Sequence, residues 1–322
     1  MADASECDAH ILSSSSRAAI GDADFSKFGR PHCPPNLGIH TIKTQLAPHL
    51  PGLRLGPMIE VSGLTKSYGD FVAVRDLSFF VRTGNIMGLV GPNGAGKTTT
   101  LRCLTGIIPP TMGRILLNGV DLASEPVKAK RQLAFFPDEP RLFDNLSLWQ
   151  HLVFTARLYQ VSNYEARAEA LLQKLEIADK RKLMPSELSR GMKQKLTLAC
   201  GLLHEPKVIF FDEPLTGLDP GGIRSMKETI RQLGRDGAAI IISSHLLSLL
   251  EEVCSHVLIL KDGVKVADGE INEVRRRFGA EGDTSLEDVF FRATDTTPPP
   301  LPNASNEPPP APREAGADAP RV

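Results

Sequence analysis

One stretch constrains this chain more than any other: Gly91-Pro92-Asn93-Gly94-Ala95-Gly96-Lys97-Thr98-Thr99. It follows the apolar run Ile86-Met87-Gly88-Leu89-Val90, which reads as a buried strand, and it leads into Leu101-Arg102-Cys103-Leu104, which continues as a helix. Gly91, Gly94 and Gly96 let successive backbone N–H groups turn inward toward oxygen atoms with no Cβ in the way. Lys97 sets an ammonium where β- and γ-phosphates would lie, Thr98 offers a hydroxyl to Mg²⁺, and a helix starting near Lys97 aims its positive end at the same anion. A tight turn with a surface lysine would need none of this context. The segment reads as a nucleotide-phosphate cradle.

A second run, VIFFDEP from Val208 to Pro214, has four apolar residues ending in two acids. A strand buried on both faces would deliver those carboxylates to the edge of a parallel sheet where the phosphate loop also sits. Asp212 is placed to hold Mg²⁺ and Glu213 to act as the general base on an attacking water. Asp219 follows in LTGLDP, and His245 comes directly after the apolar strand AAIIISS, where an imidazole can register a γ-phosphate.

Around these motifs the chain alternates strands and helices. MIEVSGLTKSYG, from Met58, and VAVRDLSFFV predict an antiparallel start; apolar runs at 133–136, 208–211, 238–242 and 256–260 predict strands joined by right-handed crossovers. Between the first two of these runs no strand pattern occurs. Ser147 is placed to cap LWQHLVFTARLYQ, Ser162 or Asn163 to cap YEARAEALLQKL, and Ser189 to cap the helix of LSRGMKQKLTLACGLL, giving a helical insertion over about 138–205. Residues 1–57, with a serine run and scattered prolines, and the Pro/Ala-rich tail 295–322 are expected to be disordered.

The formal net charge of −1 over 322 residues gives no general attraction to nucleic acid or anionic lipid. No stretch reaches the roughly 18 apolar residues of a membrane span, and the acidic opening MADASECDAH does not read as a secretory signal. The five cysteines lack metal-ligand spacing and are expected to be reduced, as in a cytosolic chain.

In order and content these motifs resemble the ATP-binding subunit of an ABC transporter over Met58 to about Thr294. The resemblance implies an α/β P-loop NTPase core with a mostly parallel sheet, N-terminal antiparallel strands and an inserted helical subdomain. It also implies ATP hydrolysis with Mg²⁺, a head-to-tail homodimer, and a separate transmembrane permease that holds the subunit on the cytoplasmic face of the inner membrane, with no nucleic acid partner. Tyr68 matches the aromatic that stacks on adenine. Leu188-Ser189-Arg190-Gly191-Met192 matches the signature, in which Ser189 and Gly191 grip the γ-phosphate held by the other subunit, and Asp219 matches the loop coupling the two sites. A soluble relative acting on DNA or the ribosome is the alternative, although the long coiled coil or second cassette of such relatives is lacking.

Two motifs depart from the family pattern. The signature is usually LSGGQ, so Arg190 and Met192 are unusual, and Asp138 in PDEP stands where glutamine is general. Asp138 is expected either to reach Mg²⁺ through a bridging water and relay nucleotide state to the helices contacting the permease, or to cap the turn before Pro140.

Overall fold

The computed structural model describes residues 56–278 and 285–294. The two tails expected to be disordered lie outside the described residues, apart from positions 56 and 57. The chain opens with β1 (Ile59–Tyr68) and β2 (Phe71–Val81), then β3 (Ile86–Val90) and α1 (Lys97–Leu104). It continues through β4 (Met112–Leu117), β5 (Val120–Asp121), α2 (Pro126–Lys130) and β6 (Leu133–Phe136). Three helices follow with no strand between them: α3 (Leu148–Tyr159), α4 (Tyr164–Lys174) and α5 (Arg190–Leu202). Then come β7 (Val208–Asp212), α6 (Pro220–Arg235), β8 (Ala239–Ser243), α7 (Leu247–Val253), β9 (His256–Lys261), β10 (Val264–Glu270), α8 (Ile271–Arg277) and α9 (Leu286–Ala293).

Two sheets result. The larger has the order β10-β9-β3-β8-β7-β6, parallel from β9 to β6 and closed at one edge by the antiparallel β9–β10 hairpin. The smaller, β2-β1-β4-β5, is antiparallel throughout. The central strands are apolar at nearly every position because both faces are covered. Ile209, Phe211, Ile240, Ile242, Val257 and Ile259 face one core, which they share with α3, α4 and α5. Val208, Phe210, Ala239, Ile241, Leu258 and Leu260 face a second core, shared with α1 and the small sheet. The period-2 alternation of each strand thus feeds two separate cores. At about 1.5–3 kcal/mol per fully buried aliphatic or aromatic side chain, this burial is what fixes the strand ends that carry the polar loops.

The helix starts follow their caps. Ser147 forms a reciprocal capping box with Gln150 at α3, and Ser189 Oγ accepts from the Met192 amide at α5. The cap expected at α4 takes another form: Asn163 stands at the N-cap position with φ 50°, in the left-handed region that asparagine tolerates, and makes no side-chain cap bond. The crossover helix α6 begins at Pro220, with Asp219 as its N-cap accepting from the Gly222 amide.

Candidate functional site

The order β9-β3-β8-β7 sets the carboxyl ends of β3, β8 and β7 side by side. Ligands of open parallel sheets bind in the crevice outside such strand ends. From β3 the loop 91–96 curls into α1. Gly96 at its end has φ 95°, and a Cβ there would lie 2.6 Å from the Ala73 carbonyl oxygen, so the loop keeps its curvature while pressed against β2 only because this residue is glycine. Ala95 is buried beneath the loop, whereas Pro92, Asn93, Gly94 and Thr98 are exposed and Thr99 is partly so. Lys97 reaches back into the loop, where Nζ donates to the carbonyls of Gly91 at 2.7 Å and Pro92 at 3.1 Å. Burial lowers its pKa, and the opposing pull comes from Glu213 and Asp212. That electrostatic coupling joins the loop and the acidic pair as one site.

From β7, Asp212 and Glu213 arrive together, and the exit of β8 serves both. Ser243 Oγ donates to Asp212 Oδ1 at 2.6 Å; Ser244 Oγ donates to Glu213 Oε2 at 3.2 Å, and His245 Nδ1 lies 2.9 Å from the same oxygen. Glu213 has φ 50°, a strained value for a residue with a β-carbon, held by its amide bonding the Ser243 carbonyl at 3.0 Å. The structure therefore brings Lys97, Asp212, Glu213 and His245 to one sheet edge. The two serines were missed in the sequence, although a Ser-Ser pair between an apolar strand and a histidine is where hydroxyls able to orient carboxylates would stand.

The other expected residues stand at the ends of their own elements. Tyr68 ends β1 with its ring 48% exposed and Lys66 Nζ 5.2 Å from the ring centroid. Ser189 is exposed at the start of α5, with Gly191 in the first turn, and Asp219 is exposed at the start of α6. Gln194, also missed in the sequence, is buried in α5 and donates to the Pro214 carbonyl at 2.8 Å, tying the signature helix to the segment after Glu213. Asp138 stands next to Arg190. Its carboxylate Oδ1 lies 3.6 Å from Arg190 Nη2 and has no hydrogen bond, to a turn amide or otherwise, among the described residues.

The comparisons agree with this geometry. The family model described as ABC transporter matches residues 74–216. The ABC-type transporter ATP-binding protein EcsA of Bacillus subtilis (strain 168) is 35% identical over 239 residues, covering 74% of this chain and 96% of EcsA. The Nod factor export ATP-binding protein I of Burkholderia orbicola (strain AU 1054) is 37% identical over 213 residues, covering 66% of this chain and 70% of that one. A solved ATP-binding subunit of an ABC transporter superposes with a TM-score of 0.70 at 35% identity, covering 73% of this chain and 99% of its own. With a phosphate loop, an oriented acidic pair and a histidine at one sheet edge, and with EcsA and the solved subunit matched at 35% identity over nearly all of their own length, the chain belongs to the ABC transporter family as an ATP-hydrolysing, ATP-binding subunit.

Proposed function

We propose that this subunit drives export through a separate transmembrane permease, working as a head-to-tail homodimer at the cytoplasmic face of the inner membrane. The observation that carries the chemical part is the convergence on Glu213: Ser244 Oγ and His245 Nδ1 both meet Oε2, on a residue whose backbone is strained and whose neighbour Asp212 is held by Ser243. Two partners on one oxygen fix the direction of the carboxylate, which is what a general base in line with a phosphoryl group needs. Export is supported by relatives named for Nod factor export and doxorubicin resistance. No helix among the described residues is long and apolar enough to cross a membrane, and the reading assigns the path across the bilayer to the permease.

In this reading Tyr68 stacks on adenine, the amides of 93–96 and the Lys97 ammonium hold the β- and γ-phosphates, and Glu213 takes the proton of the attacking water as the bond from γ-phosphorus to the bridging oxygen breaks. Ser189 and Gly191 contact the γ-phosphate bound by the second subunit, His245 registers its presence, and Asp219 couples the two sites. The donor set suits Mg²⁺. No cluster of three or more acidic, histidine or cysteine ligands occurs among the described residues, and Mg²⁺ is typically held by one or two carboxylates together with substrate phosphates. Thr98 and Asp212 would hold Mg²⁺, which would supply neutralisation of phosphate charge. Asp138, engaged by Arg190, is left out of that set. The folded unit 58–294, with an insertion near 138–205, is the whole of the working part in this reading.

The test is Glu213→Gln, purified from solubilised membranes. ATP hydrolysis should fall by about 10² to 10⁴ with ATP binding retained, and a transmembrane protein should copurify. Turnover at the wild-type rate would remove the base assignment; absence of any membrane partner would remove the permease.

A further inference from the structure

Arg190 and Asp138, one unusual residue from each of the two departing motifs, meet in the fold, and their meeting point touches the segment that follows Glu213. Asp138 lies just beyond β6 and Arg190 begins α5, with Nη2 and Oδ1 3.6 Å apart. The Arg190 guanidinium also lies against Gly217: a Cβ there would fall 2.7 Å from Cζ and 2.8 Å from Nη1. One turn further along the same face of α5, Gln194 holds the Pro214 carbonyl. Between these two contacts the Thr216 amide bonds the Glu213 carbonyl at 3.2 Å, so the segment from Glu213 to Gly217 is a short closed turn gripped at both ends by α5.

From this juxtaposition we propose that Arg190 is a positioning residue. Paired with Asp138 and packed flat on Gly217, it makes the start of the signature helix, the exit of β6 and the turn bearing Glu213 move as one body. The proposal rests on the reading of Ser189 and Glu213 given above. It explains why the two departures occur together: a glycine at 190 could neither pair with a carboxylate nor cover Gly217, and the carboxylate at 138 supplies the guanidinium with a counter-charge. A guanidinium suits the place because it is planar and delocalised, so it can lie on a backbone and meet a carboxylate at once, which the point charge of lysine cannot do. Both side chains are about half exposed, and such pairs contribute little to fold stability. Their removal should therefore show in turnover and not in unfolding.

The experiment is a double-mutant cycle on ATP hydrolysis by the full chain. Asp138→Asn and Arg190→Gln should each lower kcat by about five- to tenfold, with KM for ATP and the thermal midpoint little changed. The double variant should be no slower than Arg190→Gln alone, and Asp138→Glu should retain wild-type kcat. Losses that multiply in the double variant, singles that match the wild type, or a kcat that falls only together with the thermal midpoint would each overturn the proposal. If Arg190→Gln does not fold, the cycle is run with Arg190→Lys, in whose background Asp138→Asn must cost less than in the wild type. Glu213→Gln in the same assay separates the failures: wild-type turnover there removes the reading of Glu213, whereas multiplying losses with Glu213→Gln inactive remove only the linkage.

Discussion

Just past the end of α5, His204 stacks on Tyr159 with ring centroids 3.8 Å apart and sets Nε2 3.1 Å from the Leu133 carbonyl. Burial lowers its pKa, and the Leu133 carbonyl, which favours the charged form, only partly opposes this. Its Nδ1 is buried with no hydrogen-bond partner among the described residues, so a second N–H on that ring would have nowhere to donate. His256 is shifted the same way, by burial first, with Glu270 opposing. The sign follows from linkage: with the folded pKa below the unfolded one, the unfolded chain takes the proton first as pH falls. The contribution is complete above the unfolded value near 6.5 and is lost on acidification toward the folded value. Urea unfolding between pH 7 and pH 5 should show stability falling as pH falls, by at most about 1.4 kcal/mol per pH unit for each such group. His204→Gln should flatten that dependence, and a slope equal to the wild type's would show that His204 does not contribute.

At the scale of elements, α5 crosses β6 with almost no clearance. A Cβ at Gly201 would lie 2.5 Å from Cε1 and Cζ of Phe136, and that ring cannot retreat because it stacks on Phe211 at 4.8 Å between centroids. Gly201→Ala therefore sets two effects against each other: about 1 kcal/mol gained in helix propensity and about 1–3 kcal/mol lost to overpacking. The loss should win, lowering the unfolding midpoint in urea or heat, and Phe136→Leu in the same chain should recover part of it. A midpoint above the wild type's would mean that α5 can shift on the sheet. Elements of this kind were legible in the sequence where the signal is local. The apolar runs of β3, β7, β8 and β9 announce strands covered on both faces, and Ser147 and Ser189 announce helix starts because a hydroxyl there has a backbone amide three residues on to accept from. The residues of the phosphate loop, the acidic pair and His245 were legible for the same reason, each standing at the end of a strand that the sequence marks. What was not legible depends on register between distant segments. The approach of Arg190 to Asp138 joins segments about fifty residues apart, and the bonds of Ser243 and Ser244 to the acids follow from β8 lying next to β7, which no local pattern states.

For the whole molecule, the arrangement within one chain favours a site completed by another. The phosphate loop stands at the carboxyl end of β3, Ser189 stands on the helical insertion, and among the described residues no hydrogen bond or ion pair joins 188–192 to 91–99. Ser189 is exposed and caps α5 by accepting from the Met192 amide, which leaves the first turn open to solvent as the proposed dimer requires. In the head-to-tail pair proposed above, each site would take its loop from one chain and its signature from the other. Lys97→Ala disables the loop a chain contributes, and Ser189→Arg disables the signature it contributes. Either variant alone leaves every site with one defect. In a heterodimer both defects fall into the same site and the other site is intact. Random mixing of the two chains should then restore up to about a quarter of wild-type ATP hydrolysis, since half the dimers carry one good site of two. Two affinity tags, one on each variant, establish that heterodimers have formed in ATP before turnover is measured. Mixed chains that pair and regain nothing would show that Ser189 serves the nucleotide of its own chain, and a Ser189→Arg homodimer with wild-type turnover would remove the signature from the site altogether.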